Sequence, residues 1–442
     1  METILVKAAQ LVLSLSILVV LHEFGHFMFA RLFKTRVEKF YLFFDPWFSI
    51  FKKRIGDTTY GIGWLPLGGY VKISGMIDES MDKEQMKQPP KPYEFRSKKA
   101  WQRLLIMLGG VMVNFLLALV IYIMVLHVWG EKYVPMENLK YGVMVDSLGQ
   151  EMGLRDGDRI LKVGGEDIER WERIPHDIIV NEAQTLTIER GGEVMQVSID
   201  ENIIPTLLKS EFPILPRVPF EIGELREGDP AAKAGIKPGD RIIGLNGEPI
   251  RFYDQFKKRM SAWEAGPIQM TLLREKDTVS VSLTPTGGGK IGVYPIINDQ
   301  YWFEAVEVKY SLLESIPAGI AKGFQTTKSY LKQLQMLLKP KKYKAHESLG
   351  GFIKIGSIFP GEWNWQSFWN LTAFLSIILA IMNILPIPAL DGGHVMFLLY
   401  EIISGKKPGD RFMEYAQMIG LILLLSLLLY ANLNDVIGLF NK

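Results

Sequence analysis

No cysteine occurs among the 442 residues of this chain. Its folded parts therefore contain no disulfide, and a metal site must be built from nitrogen and oxygen ligands. The net charge of +2 and the lack of an extended basic tract give no reason to expect a nucleic-acid partner. Since 48% of the residues are hydrophobic while the mean hydropathy is only +0.12, the composition indicates membrane segments combined with soluble domains.

Four apolar segments are long enough to cross a bilayer as helices. They are Ile4 to Ala30, Leu104 to Trp129, Trp369 to Leu385, and Met413 to Ala431. The first could be mistaken for a secretory signal, but it is too long and no small-x-small cleavage pattern precedes its polar end. We therefore expect an uncleaved anchor.

The distribution of lysine and arginine predicts which side of the membrane each loop occupies. The loop between the first two spans is rich in positive charge near both ends, so we expect it to be cytoplasmic. Lys406, Lys407 and Arg411 predict the same side for the loop between the last two spans. The long segment between the second and third spans then lies outside. Lysines near 339–344 oppose this, but long loops obey the rule poorly.

The first span contains His22-Glu23-Phe-Gly-His26, three polar side chains inside an apolar segment. On a helix, histidines four residues apart lie on one face, with Cβ atoms about 5–6 Å apart, so both imidazoles can reach one metal ion. Glu23 lies beside them and is free to act as a base. Because ionisable groups in hydrocarbon are costly, a zinc site is a better interpretation than a chance match.

A catalytic zinc needs a third protein ligand and an open position. The best candidate is Asp391, which follows Pro386 and Pro388 where these prolines interrupt the third span. The first and third predicted spans run in the same direction, so their C-terminal ends lie at similar depth. His394 is a competing ligand whose alternative is a supporting or capping role. Without the histidine motif, Asp391 could also be a simple helix cap.

The long outside segment contains an internal repeat. Gly153-Leu-Arg-Asp-Gly-Asp-Arg-Ile160 recurs as Gly235-Ile-Lys-Pro-Gly-Asp-Arg-Ile242, and each copy is followed by a strand-like stretch, a glycine turn and an alternating hairpin. The pattern resembles PDZ domains and predicts two tandem α/β modules, at residues 131–210 and 211–300. Such a groove binds an extended peptide by strand addition, although the modules could also only occupy space near the membrane.

The segment Ser311 to Leu338 mixes apolar residues with lysines, which predicts a helix lying on the membrane surface. A helix packed on the second module is an equally open alternative. We assign residues 301–365 to this helix and a linker, residues 1–130 to the first two spans, and residues 366–442 to the last two.

These motifs together resemble the site-2 protease family of intramembrane zinc metalloproteases. The resemblance rests on His-Glu-x-x-His, on the Asn-x-x-Pro-x-Pro-x-Leu-Asp-Gly-Gly string from Asn383 to Gly393, and on the tandem PDZ-like modules, and it covers nearly the whole chain. It implies that His22, His26 and Asp391 bind Zn²⁺ and that Glu23 is the catalytic base or acid. It also implies a bacterial inner membrane, with the modules on the periplasmic side.

The same resemblance implies a membrane-associated β-element around Tyr60 to Ile73. The residues expected to hold the substrate are Asn383, Pro388, Gly61, Gly63, Gly68 and Gly69, the glycines by letting a backbone approach an unpaired edge. The predicted fold is thus a membrane protein with four transmembrane helices, this β-element, and two tandem PDZ-like domains between helices two and three. An insert, Lys339 to Trp365, departs from the family pattern and leaves substrate access open.

The function implied is that of an intramembrane endopeptidase that cuts single-span proteins after a first cut outside. Anti-sigma factors and remnant signal peptides are the expected substrates, with membrane lipid and peptides at the modules as further partners. Two alternatives stay open. The first is a PDZ scaffold or chaperone with an inert metal site. The second is a soluble-type membrane zincin, whose usual downstream glutamate ligand the third span lacks.

Overall fold

The computed structural model describes residues 2–66, 68–76, 88–207, 213–337 and 350–440. The chain divides into two compact units. Unit 1 comprises Met1–Gly130, Lys309–Leu331 and Ala345–Lys442, and unit 2 comprises Glu131–Val308 and Lys332–Lys344. Within the described residues, the helices in chain order are α1 Glu2–Leu32, α2 Ala100–Trp129, α3 Ser147–Glu151, α4 Ile174–Val180, α5 Ile204–Leu207, α6 Pro230–Lys233, α7 Tyr253–Ser261, α8 Asp299–Trp302, α9 Leu312–Leu337, α10 Phe352–Ser357, α11 Trp365–Ile384, α12 Asp391–Ser404 and α13 Asp410–Phe440.

Among the described residues, the strands form one four-stranded sheet in unit 1, and two four-stranded and three two-stranded sheets in unit 2. In chain order they are β1 Val37–Leu42, β2 Phe44–Ile55, β3 Thr58–Leu65, β4 Tyr70–Ile73, β5 Glu131–Tyr133, β6 Val143–Val145, β7 Arg159–Val163, β8 Glu166–Asp167, β9 Thr185–Arg190, β10 Glu193–Ser198, β11 Ile214–Pro216, β12 Ile222–Leu225, β13 Arg241–Leu245, β14 Glu248–Pro249, β15 Ile268–Arg274, β16 Asp277–Leu283, β17 Val293–Pro295 and β18 Val306–Val308.

Four of the described helices are long and apolar enough to cross a membrane, and all four belong to unit 1. They are α1, α2, α11 and α13, with spanning segments Thr3–Leu32, Ala100–Trp129, Trp365–Ile384 and Arg411–Gly438. The prediction of four spans is therefore confirmed by length and composition, with ends that differ by a few residues from those predicted.

Helices α1 and α2 cross where both carry glycine. A Cβ atom added to Gly25 would lie 2.2 Å from the carbonyl oxygen of Gly109, so the two backbones are in direct contact. Small residues at such a crossing stabilise helix pairs in lipid because they let the backbones approach closely. A Cβ atom on Gly110 would lie 2.5 Å from Nε2 of His26, which shows that the middle of α2 is packed against the histidines of α1.

The third span is interrupted at its prolines, as predicted. Helix α11 ends at Ile384 and α12 begins at Asp391. A Cβ atom on Gly392 would lie 2.0 Å from the carbonyl oxygen of Leu385, so only glycine allows the start of α12 to fold back against the end of α11. The connecting turn includes Ala389 at a φ of +73°, whose N–H donates a hydrogen bond to Gln417 of α13.

The sheet of unit 1 has the order β2-β3-β1-β4, and it is larger than the predicted β-element, which did not include β1 and β2. Gly61 and Gly63 lie in β3, between two neighbouring strands, so they do not form the open edge that we expected. A Cβ atom on Gly61 would instead meet the ring of Tyr41 at 2.3 Å. Strand β4 pairs with β1 and has no second partner among the described residues, which moves the open edge to Tyr70–Ile73.

The repeat in the sequence is also a repeat in the structure of unit 2. The sheets β10-β9-β7-β8 and β16-β15-β13-β14 have the same order, and each has a register shift at the same place, between Ile160 and Lys162 in one and between Ile242 and Gly244 in the other. Each sheet covers its own core of buried hydrophobic residues.

The Gly-Asp of each repeat forms a matched ion pair. Asp158 accepts hydrogen bonds from Arg190 at 2.7 and 2.8 Å, and Asp240 accepts two from Arg274 at 2.7 Å. Burial alone would raise the pKa of Asp240, but the bonds from Arg274 and from the N–H of Lys237 outweigh it and hold that pKa below its ordinary value. In each repeat, the ion pair therefore ties the residue before one strand, β7 or β13, to the last residue of its neighbour, β9 or β15.

Helix α9 packs on the second span, which we did not predict. A Cβ atom on Gly319 would lie 2.6 Å from Ile123, and the rings of Phe324 and Phe115 are 5.5 Å apart. Leu312 and Leu313 remain exposed, so contact of α9 with the membrane surface stays a prediction. Leu338 and the first part of the predicted insert, residues 339–349, lie outside the described residues.

Candidate metal centre

His22 and His26 of α1 and Asp391 of α12 meet in unit 1. Oδ2 of Asp391 lies 3.2 Å from Nε2 of His22 and 3.3 Å from Nε2 of His26, and the two Nε2 atoms are 3.2 Å apart. All three ligand atoms lie within 4.8 Å of one another. Three residues from opposite ends of the chain thus converge on one point, as the sequence predicted.

The side chain of His26 is held in one tautomer by the backbone of α2. Its Nδ1 lies 2.8 Å from the carbonyl oxygen of Ile106. A carbonyl only accepts hydrogen bonds, so Nδ1 carries the proton and the lone pair of Nε2 is directed at Asp391 and His22. Both histidines are buried, which keeps these orientations fixed.

Asp391 supplies an unpaired acceptor at the point where the three ligands meet. Its Oδ2 is buried and has no hydrogen-bond donor, which is costly unless a cation binds there. Two imidazole nitrogens and one carboxylate oxygen, with no thiolate, are a ligand set typical of catalytic zinc. The residues present therefore fit a zinc ion.

Glu23 lines the same cavity as the three ligands. The cavity has a volume of about 640 Å³ and is also bordered by Gly69 and by all four residues of β4. The backbone of Val71 hydrogen-bonds to the carboxylate of Glu23, so β4 lies beside the candidate base. The candidate base, the ligands and the open sheet edge therefore share one chamber.

The predicted substrate-binding residues do not all have the same surroundings: some lie beside the candidate ligands or Glu23, and others pack against neighbouring elements. Nδ2 of Asn383 lies 3.3 Å from Nε2 of His22, next to the ligands. Pro388 lies in the turn before Asp391, where its carbonyl oxygen would be 2.1 Å from a Cβ atom on Gly420 of α13. Gly69 lies beside Glu23, and Gly68 has a φ of +138° next to the ring of Phe44.

His394 is not part of the ligand group formed by the described residues. Its Nε2 lies 2.9 Å from Nε2 of Gln417 and is therefore occupied by that side chain. His394 and Gln417 both line the cavity. The supporting role considered for His394 is therefore favoured over the ligand role.

Sequence reasoning missed Asn114, which lies next to His22. This residue is fully buried in α2, and its Nδ2 is 3.2 Å from Nδ1 of His22. The signal was present, because an amide in the middle of an apolar span is costly for the same reason as a histidine. Ile106 was also missed, and its backbone contact with His26 has no sequence signal.

The model of Peptidase family M50 matches residues 10–427. The chain is 29% identical to the regulator of sigma E protease of Haemophilus influenzae, over 97% of this chain and 98% of that protein. It is 30% identical to a putative zinc metalloprotease of Rickettsia conorii, over 97% of this chain and 98% of the relative. Protease RseP of Yersinia pestis is 27% identical, over 98% of this chain and 99% of that protein.

Proposed function

The chain belongs to peptidase family M50 and is a site-2-type zinc metalloprotease with zinc as its cofactor, and on this premise we propose that it cleaves single-span membrane proteins within their transmembrane segments. The observation that carries the proposal is the cavity in unit 1, where Asp391 meets Glu23, His22 and His26 of α1, a helix able to span a bilayer. Hydrolysis at that depth requires the substrate segment itself to be transmembrane.

We assign the chemistry to four side chains. His22, His26 and Asp391 hold the zinc ion. When bound, zinc polarises the scissile carbonyl and makes water a stronger acid. The carboxylate of Glu23 accepts a proton from the attacking water and returns it to the leaving amine.

The substrate enters as an extended strand along β4. Carbonyl groups in a helix are already hydrogen-bonded and shielded by side chains, so the segment to be cut must first unwind. An unwound segment in hydrocarbon leaves polar backbone groups unpaired, at a cost of several kcal/mol each. Strand addition at the open edge of Tyr70–Ile73, which borders the cavity, would pair these groups next to the zinc ligands.

The hairpin of β2 and β3 supports membrane contact by the sheet. Trp47 is 91% exposed, and Phe48, Ile50 and Phe51 are also exposed. Exposed apolar residues clustered in this way mark a surface that contacts a partner or lipid. We propose that lipid is that partner and that this loop is cytoplasmic, with unit 2 on the periplasmic side of an inner membrane.

The substrates are proposed to be anti-sigma-type proteins or remnant signal peptides. The name of the Haemophilus influenzae relative supports the first class. The scaffold alternative does not need Glu23, so Glu23→Gln separates the two functions. In membranes containing the Glu23→Gln protein, single-span fragments lacking their outer domains should accumulate several-fold over wild type, as measured by quantitative proteomics. An unchanged membrane proteome, with the wild-type phenotype retained, would favour the scaffold.

Unit 2 is proposed to act as a filter that admits only substrates already trimmed outside. Strands β5 and β18 pair with Tyr133 opposite Val306, so residues 134–305 can be replaced by an Asn-Gly turn without breaking this strand pair. The variant is expected to cut untrimmed substrates, lowering the preference for trimmed ones by about tenfold, the equivalent of about 1.4 kcal/mol.

The measurement is the ratio of cleavage rates for a trimmed and an untrimmed form of one substrate in liposomes. The same deletion combined with Glu23→Gln is the control for proteolysis by contaminants. An unchanged ratio would show that unit 2 is not the filter, while leaving the protease itself in place.

A further inference from the structure

We propose that Asn114 is a positioning residue that holds His22 in the tautomer required for binding zinc. Its side chain is fully buried in α2, and its only polar contact among the described side chains is with His22, at 3.2 Å between Nδ2 and Nδ1. Asn114 contacts Nδ1 of His22, whereas Nε2 is the nitrogen that faces His26 and Asp391. Its role would therefore be exerted through the imidazole.

The two ring nitrogens of His22 have different roles. Nε2 is the atom that faces His26 and Asp391, so it must present a lone pair to the metal. A neutral imidazole then carries its proton on Nδ1. That proton needs an acceptor, and the side chain of Asn114 is the group placed to provide it.

In the proposed arrangement, the side-chain amide of Asn114 turns its oxygen toward Nδ1 of His22. With the amino group of Asn114 toward Nδ1, two donors would face each other, and Oδ1 would remain buried without a hydrogen-bond partner. Rotating the amide by 180° exchanges its oxygen and nitrogen, and their positions are set by the hydrogen-bond network. Oδ1 then accepts the proton of Nδ1, and the amino group takes the position that Oδ1 occupied.

The backbone around Asn114 is fixed from two sides. Ser376 of α11 donates a hydrogen bond to the carbonyl oxygen of Asn114, at 2.7 Å. One turn earlier, Gly110 leaves the space that the two imidazole rings fill. Helix α2 therefore orients both histidines, His26 through the carbonyl of Ile106 and His22 through the amide of Asn114.

A purely structural role is the alternative, in which the amide only links α1 to α2. The two roles differ in what the side chain must offer. Setting the tautomer needs an acceptor, which Asn114→Asp keeps and Asn114→Leu removes. A structural link through the amino group would be lost in both variants.

The experiment measures zinc affinity of the purified full-length protein by competition with a chelator, together with the melting temperature of the metal-free protein. Asn114→Leu is expected to bind zinc about 10–100-fold more weakly, as for other residues that orient metal ligands. Asn114→Asp should stay close to wild type. Asn114→Ala, with the same loss of acceptor but less bulk, is measured in parallel in case the leucine variant does not fold.

Thr372→Val is the matched control, because it removes another buried hydrogen bond between spans, the one from Thr372 to Ser14. It should leave zinc affinity unchanged. Wild-type affinity in Asn114→Leu and Asn114→Ala, or equal weakening in Asn114→Asp, would overturn the proposal. The inference rests on His22 being a ligand, which His22→Ala tests separately. If that variant keeps its zinc, the ligand assignment fails, whatever Asn114 does.

Discussion

Replacing Asp391 or His22 by alanine is expected to remove bound zinc, whereas Glu23→Gln should keep the zinc and lose cleavage. Each of the first two changes takes away one of three converging ligand atoms, while Glu23 lines the cavity without belonging to that group. Loss of general acid–base catalysis should lower the cleavage rate by about 10²–10⁴-fold. Metal analysis of purified protein and a cleavage assay with one single-span substrate measure both effects.

His394→Ala provides the control for this experiment. His394 lies close to the site, but its Nε2 is occupied by Gln417, so the variant should retain one zinc per chain. Full zinc content in Asp391→Ala would refute the ligand assignment. Loss of zinc in Glu23→Gln would instead mean that the glutamate is needed to hold the metal.

Val71→Pro and Asn383→Ala are expected to reduce cleavage of stable substrate helices more than cleavage of loosened ones. Proline at position 71 removes the backbone N–H of Val71 from β4, which has no second strand partner among the described residues. Asn383 can offer a donor and an acceptor to an unwound segment beside the ligands. Losing one such hydrogen bond should cost about 1–1.5 kcal/mol, or roughly tenfold in rate.

The measurement compares cleavage rates for matched substrates that differ only by a Gly or Pro near the scissile bond, at equal zinc content. A substrate loosened in this way needs less unwinding by the enzyme, so it should be nearly unaffected. Val71→Ala keeps the backbone N–H and serves as the control for side-chain effects. Equal losses for stable and loosened substrates would reject the unwinding role and leave these residues as structural support.

The parts of this structure that depend on local sequence were predictable. The four spans follow from apolar length, the spacing of His22 and His26 follows from helical geometry, and the repeated Gly-Asp motif predicted the repeated sheets. The position of Asp391 near the two histidines was also predictable, because the direction of the spans and the helix interruption at Pro386 limit where Asp391 can lie.

What could not be predicted depends on pairing between distant segments. The order β2-β3-β1-β4 puts Gly61 inside the sheet and leaves β4 at its edge, and no local pattern distinguishes a central strand from an edge strand this short. The packing of α9 on α2 depends on Gly319 meeting Ile123, a contact between residues far apart in sequence. Asn114 could have been identified from its position in an apolar span, but its partner His22 could not.

The separation of the proposed zinc ligands along the chain has a consequence for biosynthesis. His22 and His26 lie in the first span, whereas Asp391 follows the third. A ribosome must therefore translate and insert nearly nine-tenths of the protein before the ligand set can be completed. Until then, the nascent chain has the glutamate and two histidines but no complete metal site, so it cannot degrade neighbouring proteins during its own insertion.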